Sequence, residues 1–251
     1  MPRMLRFGLL ASVLVSLLLA APAGAITSGS PDGNGHPNVG GLVAAEAYPD
    51  GTWTYCSGTL ISPTVFLTAA HCVEGARVRV TFSSAYQDGD KTYTGTWHAD
   101  PAYNQSQSDP HDIAVVVLDK PVKGVAPARL PQAGSLSKLS GSQQFTSVGY
   151  GAYEVTNQPG GHNYLYNDVR GVATGTLNSV NPAWLRISMN PSHGDGGTCY
   201  GDSGGPNFLA STDIVAATTI TGDAVCRSTN VDYRLDTDSA RSFLGQFVVL
   251  P

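Results

Sequence analysis

From residue 26 onward the chain is interrupted every few residues by Gly, Pro, Asn or Asp, and short runs rich in β-branched and aromatic residues lie between the interruptions. That pattern selects strands joined by turns. Twelve runs qualify and fall into two sets. The first holds 39–47, 54–61, 64–68, 77–82, 92–98 and 113–118; the second holds 144–150, 167–177, 184–189, 206–210, 214–220 and 231–235. Pro121, Pro127 and Pro131 mark the connection between the sets. Helical periodicity is confined to the end, where Asp236-Thr237-Asp238 offers capping side chains before Ala240, Phe243, Leu244 and Phe247, predicting a helix over 237–248. On these grounds alone the fold is all-β, with a sandwich as the architecture they suggest. A length of 251 residues suits one large domain or two small ones.

Residues 1–25 have a different character. Arg3 and Arg6 precede an apolar run from Phe7 to Ala21, and Ala23-Gly24-Ala25 follows. This reads as a secretory signal peptide, too short for a membrane span, with cleavage after Ala25 and cleavage after Ala23 as the competing site. The expectation is therefore an extracellular chain free of the membrane. Removing Arg3 and Arg6 from 14 basic side chains leaves 12 against 19 acidic ones, a formal charge of −7. An acidic chain without a Lys/Arg stripe argues against nucleic acid as a partner. Four cysteines in a secreted chain are expected to be oxidised, and arithmetic allows three pairings. No Cys-x-x-Cys and no His pair at ligand spacing points to a metal, and no cofactor motif is present.

Candidate chemistry centres on Thr198-Cys199-Tyr200-Gly201-Asp202-Ser203-Gly204-Gly205-Pro206, where glycines expose one serine hydroxyl and the backbone N–H groups around it. A serine is a poor nucleophile at neutral pH unless an imidazole takes its proton and a carboxylate orients that imidazole. Leu67-Thr68-Ala69-Ala70-His71-Cys72 places a histidine at the end of an apolar strand, and His111-Asp112-Ile113-Ala114 puts an aspartate at the head of a β-branched run. Other histidines, His36, His98, His162 and His193, lie in turn-like surroundings and read as surface residues. Asp109 precedes Pro110 and reads as a loop residue, while His111 should face away from Asp112.

With these flanks, the order His71, Asp112, Ser203 resembles the chymotrypsin-like (trypsin-fold) serine proteases over essentially the whole chain after the leader. The resemblance implies an all-β fold of two antiparallel six-stranded barrels, lobe one about 26–130 and lobe two about 131–235, closed by the C-terminal helix. It selects the pairings Cys56–Cys72 and Cys199–Cys226. It implies a secreted serine endopeptidase, monomeric, acting on protein or peptide substrates, open to protein inhibitors and without cofactor or metal. An esterase or a catalytically silent binding protein is the alternative.

Site roles carry over in the same way. The N–H groups of Gly201 and Ser203 would form the oxyanion hole, and Gly197, Thr198, Tyr200, Gly222 and Asn230 would line the substrate pocket. With Gly197 where trypsin-like members place an aspartate, a basic side chain before the scissile bond would lack its partner, and medium to large apolar side chains are expected. The family's Ser-Trp-Gly appears as Ile220-Thr221-Gly222 or starts one residue earlier, and its Gly-Trp-Gly as Gly149-Tyr150-Gly151. A freshly cut N-terminus at Ile26 would pair its ammonium with Asp202, so that removal of the leader itself activates the chain.

Overall fold

The computed structural model describes residues 26–251; the leader lies outside the described residues. A short strand β1 (Ser30–Pro31) precedes the first barrel, which contains β2 (Val39–Val43), β3 (Thr54–Ser62), β4 (Val65–Thr68), β5 (Arg77–Thr81), β6 (Thr92–Ala99) and β7 (Ala114–Leu118). Their order is β2-β3-β4-β7-β6-β5, closed by antiparallel pairing of β5 with β2. Closure removes the exposed edges that six short strands would otherwise present.

Phe66 on β4 shows how the barrel fills. It is fully buried, and its ring lies where a Cβ at Gly58 on β3 would stand, 2.5 Å from the ring carbons. Only glycine leaves room for that ring. Phe66 meets Phe82 edge-on at 5.8 Å between centroids, and Phe82 meets Tyr93 at 5.7 Å, extending the apolar column through the barrel.

The second barrel is built from β8 (Gln144–Gly149), then, after a separate hairpin of β9 (Glu154–Gln158) and β10 (Gly161–Leu165), from β11 (Gly171–Val180), β12 (Trp184–Ser188), β13 (Pro206–Leu209), β14 (Val215–Gly222) and β15 (Thr229–Arg234). The order is β11-β12-β15-β14-β13-β8, and β8 pairs back onto β11; β1 joins at β11 as a seventh strand. The fold is thus two closed six-stranded antiparallel barrels, each of the twelve expected runs contributing one strand. Neither β1 nor the β9–β10 hairpin was expected. The run at 167–177 joins the barrel only from Gly171; before it Asp168 adopts a left-handed φ of 54° and Val169 bridges instead to Ala85 of the first lobe.

One helix, α1 (Asp238–Leu244), closes the chain, with the Thr237 hydroxyl accepting the Ala240 N–H. It is shorter than the 237–248 expected: after Gly245 the bonds tighten, the Gln246 N–H donating to Phe243 O and the Phe247 N–H to Leu244 O, so Phe247 lies beyond the helix. Ala240, Phe243 and Leu244 are buried in the same apolar cluster as Leu60 and Val115.

The lobes are held together by polar groups that cross between them. The Asp168 carboxylate accepts the Trp53 N–H at 2.9 Å, the Thr54 N–H at 2.8 Å and the Thr54 hydroxyl at 2.6 Å. Arg170, fully buried, donates to Asp32 Oδ2 and to the carbonyls of Gly33 and Val39. Each of these groups is costly to bury alone and favourable when fully bonded. Asp168→Ala should therefore cost roughly 3 kcal/mol of stability, because it leaves two buried N–H groups without acceptors. Denaturant unfolding checks this; a loss under about 1 kcal/mol would show that water replaces the carboxylate.

Candidate active site

His71 lies in a single 3-10 turn, Ala70–Cys72, directly after β4. Its backbone N–H donates to Asp112 Oδ1 at 3.0 Å, and its Nδ1 stands 2.8 Å from Asp112 Oδ2. Both carboxylate oxygens are thus turned to one residue. Asp112 is only 2% exposed and sits just before β7, so the imidazole is its main compensation for lost water. This contact fixes the imidazole with Nδ1 towards Asp112 and leaves Nε2 for other chemistry. His111 takes a φ of 49° and points elsewhere, its Nδ1 3.0 Å from Asp100 Oδ2. Asp109 accepts from the hydroxyls of Tyr233 and Ser239.

The Ser203 turn is clamped from both lobes. From β3, the Ser57 N–H donates to Ser203 O at 2.8 Å and the Ser57 hydroxyl donates to Gly201 O at 2.9 Å, while that hydroxyl accepts the Tyr150 N–H. Thr68 in turn donates to Ser57 O. Cys56 is joined to Cys72, whose sulfur lies 3.6 Å from Ser203 O, so the bridge links the His71 turn to the serine turn. A second bridge, Cys199–Cys226, ties the approach to Ser203 to the segment after β14. His71 and the sulfurs of Cys56 and Cys72 come within 4.8 Å of one another, but both sulfurs are spent in the disulfide and neither is a thiolate ligand.

On the lobe-two side, Asp202 is fully buried. Its Oδ1 accepts the Gly151 N–H and its Oδ2 the Cys199 N–H, each at 2.8 Å. Burial pushes this carboxyl up to about 7 against the two hydrogen bonds, which favour the charged form. Among the described residues it has no cationic partner. Gly151 is required by this packing, since a Cβ there would stand 2.5 Å from Asp202 Oδ2 and 2.6 Å from its backbone nitrogen.

Within the turn, Asp202, Gly204 and Gly205 donate their N–H groups to Cys199 O, Thr219 O and Asp202 O. The N–H groups of Gly201 and Ser203 donate to no protein acceptor among the described residues. A φ of 94° at Gly201 sets that arrangement, a conformation costly for any residue with a side chain. No hydrogen bond joins Ser203 Oγ to His71 Nε2 among the described residues, a contact that resting sites of this kind often leave long.

His71, Asp112, Gly201 and Ser203 line one cleft of about 1060 Å³. Tyr48, Tyr55 and Tyr166 also face it, as do Trp184, Arg186 and Val231. Of the expected pocket residues, Thr198, Tyr200 and Gly222 line it. Gly197 and Asn230 stand back from the wall. Gly197 exchanges two backbone hydrogen bonds with Thr27 and is covered by Met189; Asn230 is fully buried, its amide directed to Asn207 and Thr219. In that same interior network Asp232 accepts from Asn207 and Thr219, and burial raises its carboxyl well above the usual range. Gly222 pairs with Asn230 across β14 and β15, and Ile26, 1% exposed, begins the segment docked on Gly197. Ser57 and Met189 escaped sequence reading, being a strand serine and an isolated methionine with no local signal.

Comparisons with known proteins bear on the family and the fold. The trypsin family model matches residues 33–242. A trypsin of Phaedon cochleariae is 33% identical over 173 residues, 62% of this chain and 64% of that protein. Glucanase inhibitor protein 2 of Phytophthora sojae is 29% identical over 166 residues, 61% of this chain and 54% of that protein. The chain thus spans less than two thirds of the length of these relatives. Among solved structures, an HL collagenase superposes with a TM-score of 0.66 at 20% identity, covering 89% of this chain and 96% of that one, which is a likeness of fold.

Gly151→Ala should destabilise the protein by about 1–3 kcal/mol, the usual range for overpacking, because the new methyl must displace Asp202. Denaturant unfolding would show it, and an unchanged midpoint would mean that the Asp202 pocket yields freely.

Proposed function

The chain belongs to the trypsin family, and on that premise we propose that it is a secreted serine endopeptidase working through an acyl-enzyme. The observation that carries this reading is a buried Asp112 bonded through both oxygens to His71, in one cleft with Ser203 and two uncommitted N–H groups. Ser203 Oγ attacks the scissile carbonyl while His71 Nε2 takes its proton. Asp112 holds the tautomer and stabilises the imidazolium, and His71 then returns the proton to the leaving amine. The N–H groups of Gly201 and Ser203 receive the developing oxyanion, each donor of this kind lowering the barrier by about 3–4 kcal/mol. Water repeats the sequence on the acyl-enzyme. The side chain before the scissile bond is apolar rather than basic, since no carboxylate stands at Gly197 and the apolar Met189 covers that position.

Similarity to a glucanase inhibitor favours a second reading, binding without hydrolysis. Turnover separates the two. Ser203→Ala and His71→Ala should each lower kcat by about 10⁴-fold or more while the protein stays folded. Equal activity in either variant, or no hydrolysis of any peptide by the unsubstituted chain, contradicts the endopeptidase reading.

Activation follows from Asp202. A buried carboxylate with only N–H partners calls for a positive charge, and Ile26 is itself buried, at the start of a segment whose Thr27 bonds to Gly197, five residues before Asp202 in the chain. Cleavage after Ala25 would supply the Ile26 ammonium. In a chain that still carries residues before Ile26, Asp202 stays unpaired with its folded value near 7, above the usual 3.8. The folded state then holds a proton that the unfolded state has lost, so stability falls as pH rises from about 4 to about 7. In a chain that starts at Ile26 the amine's folded value is raised above about 8, so its stabilisation is complete below that pH and fades as pH rises through the folded value. Melting temperatures of the two chains between pH 4 and 10 should diverge towards neutrality and converge in alkali. Parallel curves would contradict the pairing.

A further inference from the structure

Met189 follows β12, with its backbone N–H held by Ser228 O at 3.0 Å. Its side chain occupies the position expected for an empty pocket floor. The sulfur lies 2.6 Å from where a Cβ at Gly197 would stand, and 3.9 Å from the Thr198 hydroxyl. Its terminal methyl reaches to 3.8 Å from where a Cβ at Gly222 would stand. One side chain therefore crosses from Gly197, the expected floor, to Gly222, the expected wall. It is 1% exposed and so already packed on all sides.

Thr198 and Gly222 line the cleft, whereas Gly197 and Met189 do not, so Met189 lies behind that lining. We infer that Met189, packed behind Thr198 and Gly222, sets the floor of the pocket beside Ser203, making it shallow and selecting small or medium apolar side chains before the scissile bond. The inference rests on the endopeptidase reading and narrows the size range expected from the glycines at 197 and 222. The physical ground is close packing: a large aromatic ring and the methionine side chain cannot occupy the same volume, and a buried methionine wedged over a glycine has no free space to move into. Glycine at 197 is then explained as the residue that admits Met189 rather than the residue that deepens the pocket.

The test compares the unsubstituted protein with Met189→Ala and, as a milder change, Met189→Val, both in the chain starting at Ile26. Peptide amides differing only in Ala or Phe before the scissile bond report the pocket's depth. The kcat/KM ratio of Phe to Ala should rise by about tenfold or more in Met189→Ala, with a smaller rise in Met189→Val. A ratio unchanged in folded variants overturns the inference. A second readout needs no turnover: indole, shaped like a large aromatic side chain, should raise the Tm of Met189→Ala by about 2 °C or more at millimolar concentration and leave the unsubstituted protein unshifted. Equal shifts overturn the inference. If no peptide is cleaved but the indole shift appears only in Met189→Ala, the endopeptidase reading falls and the assignment of Met189 as the floor stands.

Discussion

The Gly201–Gly205 turn depends on two unlike anchors, and the arrangement of both barrels serves to bring them together. Ser57, on a strand of the first barrel, bonds to Ser203 O, Gly201 O and the Tyr150 N–H. Asp202, inside the second barrel, accepts from Gly151 and Cys199. A turn rich in glycine would have many conformations in isolation, and fixing each residue costs about 1–2 kcal/mol of entropy. The hydrogen bonds and the two disulfides offset that cost, and they leave free only the N–H groups of Gly201 and Ser203. The geometry of the turn therefore depends on the two lobes meeting: separate them, and neither anchor alone defines it.

Buried charge concentrates at this junction. Asp168, Arg170 and Asp32 cross between segments of the two lobes with all their polar contacts satisfied inside the protein, and each would be expensive if its partner withdrew. Asp202 differs because its protein partners are neutral N–H groups, which raises its affinity for a proton. The same burial that stabilises the clasp thus leaves one carboxylate waiting for a cation, and under the proposed scheme processing of the N-terminus provides it. Fold stability and readiness of the site are then coupled through a single buried group.

Much of this was legible in the sequence because it depends on local signals. Strands announce themselves by β-branched runs between Gly and Pro, and His71, Asp112 and Ser203 stand in distinctive short segments. The hairpin Glu154–Gln158 and Gly161–Leu165 was missed since its residues are polar and largely exposed, giving no apolar alternation to read. Helix α1 ended early because the backbone bonds tighten to i→i−3 at Gln246 and Phe247, which the spacing of Phe247 does not reveal. Ser57 and Met189 were invisible for a different reason: their importance comes from partners 144 and 8 residues away, Gly201 and Gly197, that only the folded chain places against them.

The central claim is that this clamped turn presents an activated serine. Treating the folded chain with an alkyl fluorophosphonate, which carries no side-chain group for the specificity pocket, and locating the adduct by mass spectrometry addresses it directly. The account predicts a single phosphonyl group on Ser203, its formation slowed by orders of magnitude in His71→Ala and abolished when the protein is unfolded. An absence of adduct on folded protein, or modification spread over other hydroxyls at similar rates, would contradict it.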